Sequence, residues 1–334
     1  MDADSREWSR ETEAFPHTTF GQYVSRVPIE GHGCADTLEP IMKRIFFLTL
    51  MLAVAGLAAL AQNPDGKLRI IAIGAHPDDC DIKFGGTAAK FAKLGHHVKF
   101  LSVTNGDAGH HEIGGFALAV RRYKETQEAA RRLGIEEYEV LPNHDGELLP
   151  TLEVRKDIIR RIRQWNADIV IAPRPNDYHP DHRYTAILVQ DAAYMVIVPN
   201  VASDTPPLKK NPVFMYYQDN FQRPNPFRPD IAVAIDDVWD KKVDAMDAQD
   251  SQFYEWLPWT MGRLNEVPKD PKARKEWLSK TRAGSISPAV RAALERLYGK
   301  DRASTVKHAE AFELCEYGRQ PSPEELKAMF PFFD

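Results

Sequence analysis

Residues 68–79 read Leu68-Arg69-Ile70-Ile71-Ala72-Ile73-Gly74-Ala75-His76-Pro77-Asp78-Asp79. A short apolar run that ends in a polar turn has the pattern of a parallel strand buried on both faces. The chain downstream keeps alternating. A helix is expected from about Gly86 to Leu94, closed by Gly95. A strand over Val98 to Thr104 and a helix over Ala117 to Leu133 follow, with Gly134 as the helix stop. Tyr138 to Leu141, Val154 to Trp165 and Asp168 to Pro173 give strand, helix and strand again. This order with short links specifies an α/β fold, Rossmann-like and doubly wound, with a mostly parallel sheet and helices on both faces.

Beyond Asp191 the pattern changes. Seven prolines between Pro199 and Pro229 punctuate a segment that holds two strand candidates, Val213 to Gln218 and Ile231 to Ile235. Such a stretch reads as an ordered excursion (199–229) beside a site rather than a linker. The C-terminal part is helical, over Val238 to Tyr254, Pro288 to Tyr298 and Pro323 to Met329. Ser322-Pro323-Glu324-Glu325 forms a capping box with proline at the first helical position.

Composition narrows the class. The 334 residues are 43% hydrophobic and 27% charged, the balance of a globular chain. A net charge of −5 argues against a nucleic-acid partner. Cys34, Cys80 and Cys315 are too few and too scattered for a disulfide scaffold or a paired-cysteine zinc module.

Met42-Lys43-Arg44 precedes an uncharged run, Ile45 to Ala61, that ends Ala59-Leu60-Ala61. A basic start, an apolar middle and a small-x-small end make a signal peptide over 42–61, cleaved after Ala61. The protein would then be secreted or periplasmic, with no stable membrane span after processing. An uncleaved anchor is the alternative, since at ~1.5 Å per residue the run approaches a ~30 Å hydrocarbon layer. Residues 1–41 are polar, lack apolar periodicity and are expected to carry no fold, with Met42 as the true start. Residues 62–334 then form one α/β domain that is close to neutral, with no electrostatic case for a polyanion.

The chemistry sits at two strand ends. His76-Pro77-Asp78-Asp79 follows the first strand, and His179-Pro180-Asp181-His182 follows the strand that ends at Pro173. Ligands of open α/β sheets bind beyond such carboxyl ends. His76 and Asp79, three apart, can share an ion if the segment makes a helical turn, while Asp78 points elsewhere and suits a base acting on water. The two motifs together offer His, Asp and His, the protein ligands of a catalytic zinc with one position open. The same set suits Fe(II).

Ala75-His76-Pro77-Asp78-Asp79, the pair Gly85-Gly86, Thr104-Asn105-Gly106 and His179-Pro180-Asp181-His182 stand in the order found in the PIG-L/LmbE-like zinc-dependent N-deacetylases. The chain resembles that family strongly from Leu68 to Ala193 and weakly from Val238 to Gln252. The resemblance implies removal of acetyl from a small N-acetylated substrate of N-acetylglucosamine type. It implies His76, Asp79 and His182 as metal ligands, Asp78 as base, a protonated His179 beside the oxyanion and Asp181 orienting a histidine. Arg122 and Asp145 match positions that reach the substrate in relatives.

The chain also departs from the pattern. Cys80 stands where the family has Glu and reads as a small buried side chain, with a thiolate ligand as the alternative. Gln249 replaces a histidine ahead of Ser251-Gln252. His110-His111 read as exposed loop histidines, and Arg160, Arg161 and Arg163 as a solvated helix face.

Other classes fare worse. A dinucleotide-dependent oxidoreductase needs G-x-G-x-x-G after the first strand, where this chain has Gly74-Ala75-His76. A non-catalytic sugar- or metal-binding protein would dispense with Asp78. Hydrolysis of a larger amide is the alternative within enzymes.

Overall fold

Ile70, Ile71, Ala72 and Ile73 are all fully buried, because helices cover both faces of the strand they form. The computed structural model describes residues 65–333. The expected leader (42–61) and the segment before it lie outside the described residues. Alternate side chains of β1 (Arg69–Gly74) feed two cores. Ile70 and Ala72 join Phe84, Phe91, Phe100 and Phe312 on one face, and Ile71 and Ile73 join Leu101, Ile158, Ile162 and Leu188 on the other.

The other strands are β2 (His97–Thr104), β3 (Glu137–Asn143), β4 (Ile169–Ala172), β5 (Val213–Tyr217), β6 (Ile231–Ala234) and β7 (Ala309–Leu314). They form one sheet in the order β3-β2-β1-β4-β5-β7-β6. The first five are parallel, and β7 runs antiparallel to both β5 and β6. The expected doubly wound, mostly parallel sheet is therefore present. The chain moves outward from β1 to β3 and returns to β4 on the other side of β1. The loops after β1 and β4 thus flank the switch point, where the sheet opens a crevice.

Helix α1 (Asp79–Lys93) begins at Asp79 rather than Gly86. The His76-Pro77-Asp78-Asp79 segment is its entry turn, since the amides of Asp78 and Asp79 both donate to the His76 carbonyl. Next come α2 (Gly115–Leu133), stopped by Gly134 at φ 77°, α3 (Leu152–Trp165) and α4 (Pro180–Met195). The expected continuous helix over 238–254 is broken. α5 (Trp239–Asp247) gives way to a wide π turn, Ser251–Trp256, and then to α6 (Leu257–Thr260). That turn sends polar groups inward. The Ser251 amide and hydroxyl donate to Glu125, and Gln252 Nε2 donates to the Gly109 carbonyl.

Four elements go beyond the sequence reading, the short α6, α7 (Pro271–Arg282), the helix Lys300–Thr305 and β7. Helices α8 (Pro288–Tyr298), α9 (Lys300–Thr305) and α10 (Pro323–Met329) complete the chain, with both halves of the Ser322–Glu325 capping box formed. Arg163 corrects the solvated-face expectation. It is buried, and its guanidinium donates to the carbonyls of Met195, Val196, Val198, Val201, Ala202 and Thr205. The chain that leads into the Pro-rich excursion has few ladder partners, so its buried carbonyls need a donor from elsewhere. Among the described residues no helix is long and apolar enough to cross a membrane.

Candidate active site

The turn after β1 and the start of α4 bring His76, Asp79, His179 and His182 together. Asp79 Oδ2 accepts the amides of Ala75 and His76 at 2.8 and 2.9 Å, which fixes the carboxylate and leaves Oδ1 facing His182 Nε2 at 3.4 Å. His76 Nδ1 lies 3.1 Å from His182 Nε2 and 3.6 Å from Asp79 Oδ2. Donors bound to one tetrahedral ion at ~2.0–2.2 Å stand about 3.3 Å apart, so the His76–His182 and Asp79 Oδ1–His182 spacings fit a shared ion.

Proton placement makes the same point. His182 Nδ1 is 2.9 Å from Asp177 Oδ1, so that nitrogen carries the proton. His76 Nε2 lies 3.0 Å from Asp145 Oδ1 and 3.4 Å from Asp181 Oδ2, so its proton also belongs on the carboxylate side. Two lone pairs are then left facing each other across 3.1 Å, an arrangement that needs a positive charge between them. Burial alone would depress both rings. The surrounding carboxylates outweigh it, lifting His76 well above its usual value and His182 to about 9, so in the absence of an ion a proton supplies that charge.

Donor atoms also converge in two other sets, His76 with His179 and His182, and His76 with Asp145 and Asp181. In the second, both Asp181 oxygens are already engaged by the amides of Gly146 and Leu148. In the first, His179 Nδ1 accepts the Asp181 amide at 3.2 Å. The Nδ1 side of His76 is thus the better seat for an ion, with His76, Asp79 and His182 as the residues able to hold it.

That hydrogen bond also fixes the His179 tautomer, with the proton on Nε2. Burial, and then the positive charge of His76 and His182, hold His179 below its usual pKa. With Nδ1 accepting, His179 presents Nε2–H as its donor, whereas the sequence expectation was a protonated ring. Asp78 is buried, and burial pushes its carboxyl up against the pull of Arg122.

Arg122 and Asp145, expected to reach substrate, are both turned inward. Only 2% of the Arg122 side chain is exposed, and Nη2 donates to Asp78 Oδ1 at 2.9 Å. Asp145 Oδ1 faces His76 and Oδ2 lies 3.8 Å from Arg122. They hold Asp78 and His76 in place. Asp181, expected to orient a histidine, lies against His76 and ties down the 146–148 loop.

Cys80 is fully buried, its Sγ donates to the Ala72 carbonyl, and burial raises its thiol well above the usual range, so it packs under the site as a thiol. Gln249 Nε2 donates to Asp81 Oδ2, whose carboxyl burial lifts to about 7. His110 is not an exposed loop residue, because its side chain is 1% exposed and Nε2 lies 2.7 Å from Glu255.

Residues 71–193, which span both motif-bearing strands, match the PIG-L family, described as GlcNAc-PI de-N-acetylase. The diacetylchitobiose deacetylase of Thermococcus kodakarensis is 35% identical over 188 residues, 53% of this chain and 67% of that protein. The chain belongs to the PIG-L family. A second PIG-L relative, the 1D-myo-inositol 2-acetamido-2-deoxy-alpha-D-glucopyranoside deacetylase of Kineococcus radiotolerans, is 32% identical over 117 residues. That match covers 33% of this chain and 32% of the relative. Among solved structures, the N,N'-diacetylchitobiose deacetylase of Pyrococcus horikoshii superimposes with a TM-score of 0.56 at 26% identity, covering 86% of this chain and 96% of that one.

Proposed function

We propose that this PIG-L chain is a zinc-dependent hydrolase that removes acetyl from N-acetylglucosamine-type sugars, with His76, Asp79 and His182 holding the ion. The observation that carries the reading is the pair of imidazole lone pairs facing each other beside Asp79, with a buried carboxylate, Asp78, next to them. Fe(II) shares the donor preference. The sugar class rests on the relatives' substrates.

A divalent ion bound there polarises an amide carbonyl and acidifies water toward pKa ~7. The chain's own groups do the rest. Asp78 accepts the proton of the attacking water, and its raised pKa makes it a better base than an exposed carboxylate. Arg122 fixes Asp78 through Oδ1, leaving Oδ2 for that proton. His179 Nε2–H donates to the oxyanion as charge develops on it. Asp177 and Asp145 keep the protons of His182 and His76 on the nitrogens that face away from the seat.

The test is release of free amine from N,N'-diacetylchitobiose and N-acetylglucosamine, before and after chelation and zinc repletion. Release that chelation abolishes and zinc restores is expected. A protein that binds zinc yet frees no amine from either sugar overturns the reading. Export belongs to the same proposal, supported by the leader-like run ahead of Gln62; a secreted product beginning at Gln62 is expected, and one beginning near Met1 refutes it.

A further inference from the structure

A second cavity of about 300 Å³ adjoins the metal seat. The two spaces share Lys83, Gln218 and Asp219 as walls. The one against Asp79 and His182 is about 20 Å³, room for roughly one water. The larger one runs along the first turns of α1 and is closed by α5, the end of α7 and β7, through Trp239, Lys242, Arg282 and Glu310.

Its acids are already neutralised. Asp219 accepts from Nε and Nη2 of the Arg174 guanidinium, at 2.6 and 2.5 Å. Glu310 accepts Lys242 Nζ at 2.7 Å and the amides of Gly86 and Thr87. Two cations are left over. Among the described residues Lys83 Nζ hydrogen-bonds only the Gln218 carbonyl, at 3.1 Å, while Asp79, Asp177 and Asp219 attract it without a direct ion pair. The Arg282 guanidinium lies over the Phe253 ring at 4.9 Å and makes no hydrogen bond or ion pair with any described residue. Burial holds Arg282 below its usual pKa against the attraction of the Asp78 carboxylate, so its charge is poorly solvated and its donors are free. A desolvated guanidinium with five free donors is well matched to a carboxylate or phosphate.

We propose that this cavity is an anion subsite, in which Arg282 and Lys83 bind a carboxylate or phosphate carried by the N-acetylated substrate away from its acetamido group. The proposal rests on the amide hydrolysis assigned to the adjoining seat. It makes the preferred substrate an acidic amino sugar rather than a neutral one.

Three substrates that share one ring separate the outcomes: N-acetylglucosamine, its 6-phosphate, and N-acetylmuramic acid, which carries a carboxylate. The zinc-loaded wild type is expected to show a lower KM for at least one acidic sugar than for the neutral one. Which of the two gains identifies phosphate or carboxylate as the natural group. Arg282→Gln should raise KM for the acidic sugar roughly ten- to hundredfold, the scale of a lost charged hydrogen bond, and leave the neutral sugar unchanged. Arg282→Lys should recover part of that loss. Equal KM values for all three sugars in the wild type, or an equal loss on neutral and acidic sugars in Arg282→Gln, overturns the subsite.

Calorimetric titration of the same three sugars into wild type and Arg282→Gln reads binding without turnover. If none is hydrolysed, tighter binding of an acidic sugar that vanishes in Arg282→Gln still supports the subsite while the hydrolysis reading fails. Absence of such a difference refutes the subsite alone.

Discussion

Asp78 and Asp79 are neighbours in sequence with opposite tasks, and the backbone separates them. Asp79 opens α1 and spends one oxygen on two amides, whereas Asp78 stands at the N-cap position without capping an amide and gives an oxygen to Arg122. Asp78→Asn keeps the shape but cannot accept a proton. Turnover is expected to fall ~10²–10⁴-fold with bound metal unchanged, read by amine release together with elemental analysis. Asp177 acts one step back, through His182 Nδ1. Asp177→Asn should weaken metal affinity by about 10–100-fold, measured by competition with a chromogenic chelator. Unaltered affinity would remove Asp177 from the support of the site.

The clustering of His76, Asp78, Asp79 and His182 was legible because each motif is contiguous and follows a strand. The supports were not. Arg122 sits in a helix among Arg121 and Lys124, and only the fold shows that it faces Asp78 rather than solvent. Asp177 lies in a polar loop, Pro175-Asn176-Asp177, where nothing marks one carboxylate over another.

Among the elements, α1 is gripped from the C-terminal side. Glu310 on β7 accepts the amides of Gly86 and Thr87 in mid-helix, and Lys242 on α5 reaches both Glu310 and the Ile82 carbonyl. A Cβ on Gly86 would lie 2.8 Å from Ile235, so the family's glycine pair here lets β6 and its exit press on the helix. The same contact explains why β7 escaped the sequence reading. Ala309-Glu310-Ala311-Phe312-Glu313-Leu314 looks half polar, and Glu310 is buried only because α1 and Lys242 answer it. Lys242→Met would strand that carboxylate. A loss of about 3–5 kcal/mol in denaturant unfolding is expected, partly recovered by adding Glu310→Gln.

For the whole molecule, acid sensitivity has an identifiable contributor at the β1–β2 end remote from the site. His96 Nδ1 accepts the Leu68 amide, and burial, reinforced by Lys67, holds this imidazole down at about 4. The folded chain therefore takes up this proton less readily than the unfolded chain, where the usual value is 6.5. Its contribution is complete above about pH 6.5 and is lost as pH falls toward 4. His97 next to it has the opposite sign. Glu136 and then Asp65 raise it, so its contribution is present in acid and fades as pH rises through its folded value. His96→Gln keeps an acceptor for Leu68 without a titrating ring. Its melting temperature should fall less than that of wild type between pH 6.5 and 4, and parallel curves would refute the assignment.

The sheet order also has a consequence for how the chain is made. β7 is the last strand to leave the ribosome, yet it lies inside the sheet, between β5 and β6. Until residues 309–314 emerge, the nascent sheet ends at β5, with an unpaired edge beside the forming crevice and β6 without a neighbour. Glu310 arrives with β7, so α1 receives its grip at the same moment. The segment that bears every catalytic motif is thus synthesised long before it can be closed, and an open strand edge in that interval is a natural target for chaperones or for self-association.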